Sequence, residues 1–274
     1  MAATIASAVV LQRLAPGAPK WLFPTFHGVT WIAGVALVTW LVRVKINKAT
    51  WSGMALPWPQ VGRLAFGFAI GGALLWLSFV AQRQLGWVRI SRVDALSVTG
   101  PRIALALVPS LGVGFAEELA FRGYLFQTLR ERMPAWAAAG LSAVIFAAYH
   151  LTLGGFGPGF VATVICLALV FTVLRIATAS LWFPIGVHAA WDWTQTYAVG
   201  LANVGQPGHD PALLKISQSG PTLWVGRAPA IEGGLLYVII ALGAPAMTLA
   251  YAAQSGRAPR WTKRLNKQGN TLGE

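Results

Sequence analysis

Glu117, Glu118 and Asp192, three of the eight acidic residues in the chain, lie inside stretches otherwise apolar enough to cross a membrane. An ionised side chain at the centre of a bilayer costs about 2.5 to 3.5 kcal/mol on insertion scales, so such acids need partners and usually mark a function. Glu118 and Arg122 stand four apart in the run Glu117-Glu118-Leu119-Ala120-Phe121-Arg122, in the favourable order for an ion pair on one helical face. Glu117 points about 100° away from Glu118 and must find a partner on another helix or carry a proton. Phe146-Ala147-Ala148-Tyr149-His150 brings an imidazole to the end of the next segment, a candidate partner for Glu117. In His188-Ala189-Ala190-Trp191-Asp192 an imidazole and a carboxyl again project from one face. Carboxyls and imidazoles brought together from three segments are the groups that move protons near neutral pH. Such groups can activate a water or relay a proton. The alternatives are an ion-pair cluster that staples helices together, or a polar site for a ligand or protons in a scaffold or transporter.

The rest of the chain must position these groups in a bilayer. Hydrophobic residues make up 56% of the sequence and charged residues only 11%, far from the roughly 25% charged of a soluble domain. Seven apolar segments, about 23–43, 62–82, 103–128, 134–150, 159–178, 181–203 and 234–254, are long enough to span at about 20 residues per crossing. The expected fold is all-α, a polytopic transmembrane bundle of about seven helices, six to eight, around a buried polar site. Residues 1–22 read as an amino-terminal segment, 23–254 as one transmembrane domain with its motif core at 117–192, and 255–274 as a basic cytoplasmic tail. Connections are expected at Pro57 and Pro59, Gly100-Pro101, Pro134, Gly154 to Gly159 and Pro184. Residues 84–99 suit an interfacial amphipathic helix, and 204–231 form the one long polar loop.

The formal charge of +13 arises from basic residues scattered between apolar runs, with no aromatic-basic recognition module, so the expected neighbour is anionic lipid rather than nucleic acid. The tail group Arg257, Arg260, Lys263, Arg264 and Lys267 biases the carboxyl terminus towards the cytoplasm. The single cysteine, Cys166, excludes an intramolecular disulfide framework and suits small core packing. His27 in the first segment and His209 in the polar loop are read as non-catalytic.

The series EExxxR (Glu117, Glu118, Arg122), FxxxH (Phe146, His150) and HxxxD (His188, Asp192) resembles the CPBP intramembrane protease family. That family includes the CAAX prenyl endopeptidases and bacterial Abi-type homologues linked to bacteriocin processing and immunity. The resemblance implies a glutamate-dependent endopeptidase acting on a membrane-associated protein or peptide, in the inner or plasma membrane of a prokaryotic cell. It implies that Glu117 is the general base with His150, that His188 and residue 192 serve the oxyanion, and that Glu118, Arg122 and Phe146 support them. Relatives of the prenyl-protein type carry Asn at the last motif position, where this chain has Asp192. An ionised carboxylate cannot donate to an oxyanion, so Asp192 is expected either to stay protonated or, preferably, to orient His188 by accepting its other ring N–H. Glu117, His150, His188 and Asp192 are also competent zinc ligands, which leaves a metallopeptidase as the rival enzyme. The HExxH helix is absent, and the resemblance implies no obligatory metal, so no cofactor is expected.

Overall fold

Apolar sequence of the length a bilayer demands builds the chain into helices. The computed structural model describes residues 13, 15, 17, 23–154, 157–201, 212–226 and 234–246. Its principal elements are α1 (Phe23–Trp40), α2 (Val61–Gln84), β1 (Val88–Val93), α3 (Leu96–Arg130), α4 (Ala135–Thr152), α5 (Pro158–Thr178), α6 (Trp182–Trp193), β2 (Leu214–Gln218) and α7 (Leu235–Ala241). Among the described residues, five helical stretches are long and apolar enough to cross a membrane: Thr25–Ile46, Val61–Gln84, Leu96–Arg130, Ala135–Thr152 and Gly159–Thr178. The fold is an all-α polytopic bundle, and the protein is an integral membrane protein.

Two of the seven expected crossings fall outside those five. The expected 181–203 segment is the shorter helix α6 with its π-helical continuation Thr194–Ala198, less than the about 20 residues of a full crossing. The expected 234–254 segment is described only as far as residue 246. Most of the amino-terminal segment, residues 155–156 of the glycine-rich run, His209 and the basic tail lie outside the described residues.

The 84–99 region corrects the expectation of an amphipathic helix. Val88 and Ile90 alternate with the exposed Arg89 and Ser91, and β1 pairs antiparallel with β2 in the supposed polar loop, with Val88 opposite Gln218 and Ile90 opposite Ile216. The ribbon lays Val88 and Leu214 on the main apolar core, where Ile90 and Ile216 also pack. Gln218 fixes it to the bundle by donating to Gln82 Oε1 at 2.7 Å, while Gln82 donates to Ser78 Oγ at 3.1 Å and Tyr237 OH at 3.2 Å. Through Gln82 these bonds link α2, α7 and the ribbon.

Two proline positions expected to break helices lie inside them. Pro101 sits within the first part of α3, and Pro184 in the first turn of α6, where a missing N–H costs little. Cys166 is exposed on α5 rather than packed in the core. A membrane helix is apolar on all sides, so hydropathy does not separate its lipid face from its core face.

Close packing of α6 on α2 sets the position of the third motif. Gly67 and Gly71 form a GxxxG pair on α2, and a Cβ on either would run into the backbone of Phe183 or Val187 on α6. Gly186 answers from α6, where a Cβ would meet the backbone of Leu64 and Phe68. Backbone touching backbone leaves α6 little freedom to rotate, and His188 follows directly after this contact.

Candidate active site

The three motifs reach one point from α3, α4 and α6. Glu117 closes the regular α-helical part of α3, and Glu118–Leu125 continues it as a π-helix, a feature that recurs at functional sites. Glu118 and Arg122 remain in reach of each other, with Arg122 Nη1 donating to Glu118 Oε1 at 3.0 Å. Both are buried, at 0% and 1% exposure. Arg122 Cζ also lies 4.1 Å over the Phe146 ring and 5.3 Å from the centre of the Phe171 ring, so its charge is held by one carboxylate and two aromatic faces.

The histidines are fixed by what their Nδ1 atoms touch. His150 Nδ1 is 3.0 Å from the Phe146 carbonyl, which can only accept, so this nitrogen carries the proton and the Nε2 lone pair is left to face Glu117. The Phe146 ring backs the His150 ring at 4.3 Å between centroids. His188 Nδ1 is 3.0 Å from Glu118 Oε1, the same oxygen that accepts from Arg122. The Phe171 ring stacks on His188 at 4.9 Å and 21°.

Both Nε2 atoms then point at Glu117. His188 Nε2 lies 3.8 Å and His150 Nε2 4.0 Å from Glu117 Oε2, too far for direct hydrogen bonds and suited to one bridging water. Glu117 Oε2 is buried and has no protein hydrogen-bond partner among the described residues. Asp192 Oδ2 approaches the same His188 nitrogen, at 3.7 Å. Asp192 is expected to accept the other ring N–H of His188; here Nδ1 faces Glu118, and Asp192 lies on the Nε2 side of the ring.

A cavity of about 60 Å³ opens beside this cluster. His150, His188 and Asp192 form its polar wall, and Phe160, Phe171 and Trp191 are among its apolar lining. Glu117 lies behind that wall. Phe171 was not distinguishable in sequence, because nothing marks a phenylalanine on an apolar helix as part of a site. His27 stacks between Phe23 and Trp31 on α1, away from the cluster. Among the described residues, no three of His, Cys, Asp and Glu are grouped to hold a metal ion.

Residues 99–194, which contain all three motifs, match the sequence model of the family described as type II CAAX prenyl endopeptidase Rce1-like. No curated protein matches the chain.

Proposed function

From the match of residues 99–194 to the type II CAAX prenyl endopeptidase Rce1-like family, we propose that this protein is an intramembrane endopeptidase using glutamate-activated water. The observation that carries this reading is the convergence of two imidazole Nε2 atoms on Glu117 Oε2 at 3.8 and 4.0 Å. A water placed among them donates to Glu117 and to the lone pair of His150. Its O–H bond breaks as its oxygen attacks the scissile carbonyl, and Glu117 takes the proton. His188 Nε2 serves the oxyanion. Because its Nδ1–H is already given to Glu118, this role requires the doubly protonated ring, which the carboxylates of Glu118, Glu117 and Asp192 surround and favour. Glu118 and Arg122 position that ring and do not touch the substrate. The substrate is a membrane-associated protein or peptide, whose apolar part the aromatic side of the cavity accommodates.

The test is comparison of membrane proteomes and released peptides from cells carrying the intact chain and the Glu117→Ala variant. Cleavage products present only with the intact chain support the reading and identify substrates. Identical peptide sets contradict it and favour a scaffold or transporter. A zinc peptidase would instead lose its activity on chelation, with stoichiometric zinc in the purified protein.

A further inference from the structure

One row of residues on α4 faces α3. Ser142, Phe146 and His150 stand at intervals of four, so they stack on one side of that helix. The Phe146 ring meets Phe121 edge-on at 4.9 Å and carries Arg122 over its face, and His150 reaches towards Glu117. Two turns before His150, the buried Ser142 donates its hydroxyl to the Phe121 carbonyl at 3.1 Å. That carbonyl already accepts the backbone N–H of Phe126 in the π-helical pattern. Thr99, Ser110, Thr172 and Thr178 instead donate to the carbonyl four residues back on their own helices, a common outlet for a hydroxyl in a helix. Among the described residues, the bond from Ser142 to Phe121 is the one side-chain hydrogen bond between α3 and α4.

The His150 ring moves with its helix, because its Nδ1–H is committed to the Phe146 carbonyl on α4 itself. Its separation of 4.0 Å from Glu117 Oε2 is therefore set by how α4 is seated on α3. Apolar side chains let two helices slide past one another at little cost, whereas a hydrogen bond demands one distance and one angle. Resting on the endopeptidase reading above, we propose that Ser142 is a positioning residue: its hydroxyl registers α4 on the π-helical turn of α3 and so holds His150 at one-water distance from Glu117. Ser142 does not line the cavity, so its effect on the reaction passes through His150.

Loss of this bond should slow the chemistry and spare binding. The probe is an internally quenched farnesylated peptide ending in a CAAX sequence, in liposomes containing the purified full-length chain. A reacting group displaced by about 1 Å can cost about 10²-fold in rate, so Ser142→Ala is expected to lower kcat by about 10- to 10²-fold while KM changes by less than about twofold. Ser142→Thr keeps the hydroxyl and is expected to retain at least about a third of the wild-type kcat, whereas Ser142→Val, of the same shape without a donor, is as slow as Ser142→Ala. Equal turnover by the Thr and Val variants, a raised KM in place of a lowered kcat, or failure of Ser142→Ala to fold overturns the proposal, since each is what packing alone would give. Solid-state NMR of the chain with isotope-labelled histidine and glutamate supplies a readout independent of turnover. The distance from His150 Nε2 to the Glu117 carboxyl should lengthen in Ser142→Ala and not in Ser142→Thr, and an unchanged distance in Ser142→Ala overturns the proposal. Should the wild type leave the probe intact, or Glu117→Gln cleave it equally well, the endopeptidase reading falls by itself, and this distance still decides whether Ser142 places His150.

Discussion

His188 gives its Nδ1 to Glu118 at 3.0 Å, and the same carboxylate oxygen receives Arg122 at 3.0 Å. The ring is thus oriented from α3 and not from its own helix, so its free nitrogen faces Glu117. Glu118→Gln replaces a charged acceptor with an amide that can present the wrong group. It should lower turnover at least about tenfold, as loss of an orienting partner typically does. Steady-state hydrolysis in liposomes measures this. If Glu118→Gln abolishes cleavage while Glu117→Gln spares it, the two glutamates have exchanged roles.

Arg122→Ala leaves Glu118 as a buried carboxylate facing an imidazole alone. Breaking a buried pair from one side typically costs about 3 to 5 kcal/mol, so this variant should show reduced folded yield and a lower Tm along with lost activity. Thermal unfolding in detergent compares it with Glu117→Gln, which is expected to unfold near the wild-type temperature. A normal Tm for Arg122→Ala would remove the pair from the supporting structure.

Gly186→Val tests the packing that positions His188. Any side chain at 186 meets the backbone of Leu64 and Phe68, which a rotamer change does not relieve. The variant should lose folded yield and turnover together, although it touches none of the reacting groups. Gly140, where a Cβ meets nothing within 4 Å, provides the control: Gly140→Ala is expected to be neutral or slightly stabilising.

Acid should weaken one end of the bundle through Glu131. Hydrogen bonds from Arg43 hold the Glu131 carboxyl below its ordinary value near 4.5. A group whose folded pKa is depressed contributes stability above its unfolded pKa, and that contribution is lost as pH falls through the folded value. The Tm of the wild type should therefore fall below about pH 4.5 more steeply than that of Glu131→Gln. The difference is small, because Glu131 is 42% exposed and its pairing is screened. Parallel Tm profiles for the two forms would contradict this assignment.

The grouping of the motif residues was more legible in sequence than the detail of the scaffold around it. Glu118 with Arg122, and His188 with Asp192, follow from a spacing of four on a helix, which survives even the π-helical turn after Glu117. The pairing of His150 with Glu117 needed the order of the motifs along the bundle. What spacing could not supply was ring orientation: nothing in the linear sequence ranks Glu118 on α3 above Asp192 on α6 as the partner of Nδ1. The Val88-Arg89-Ile90 alternation was present but lay between two membrane segments, where an interfacial helix and a short strand share a similar composition. Gly67 and Gly71 were equally visible, yet their partner Gly186 emerges only when α2 and α6 are placed side by side.

The central claim is that Glu117 activates the water. Its most direct test is hydrolysis by purified Glu117→Gln in liposomes, after chelation of metals, with the wild-type chain in parallel. The account predicts that chelated wild type retains its turnover, while Glu117→Gln loses at least about 10²-fold yet unfolds at the wild-type temperature. Wild-type rates from Glu117→Gln, or loss of wild-type activity on chelation with recovery on added zinc, would contradict it.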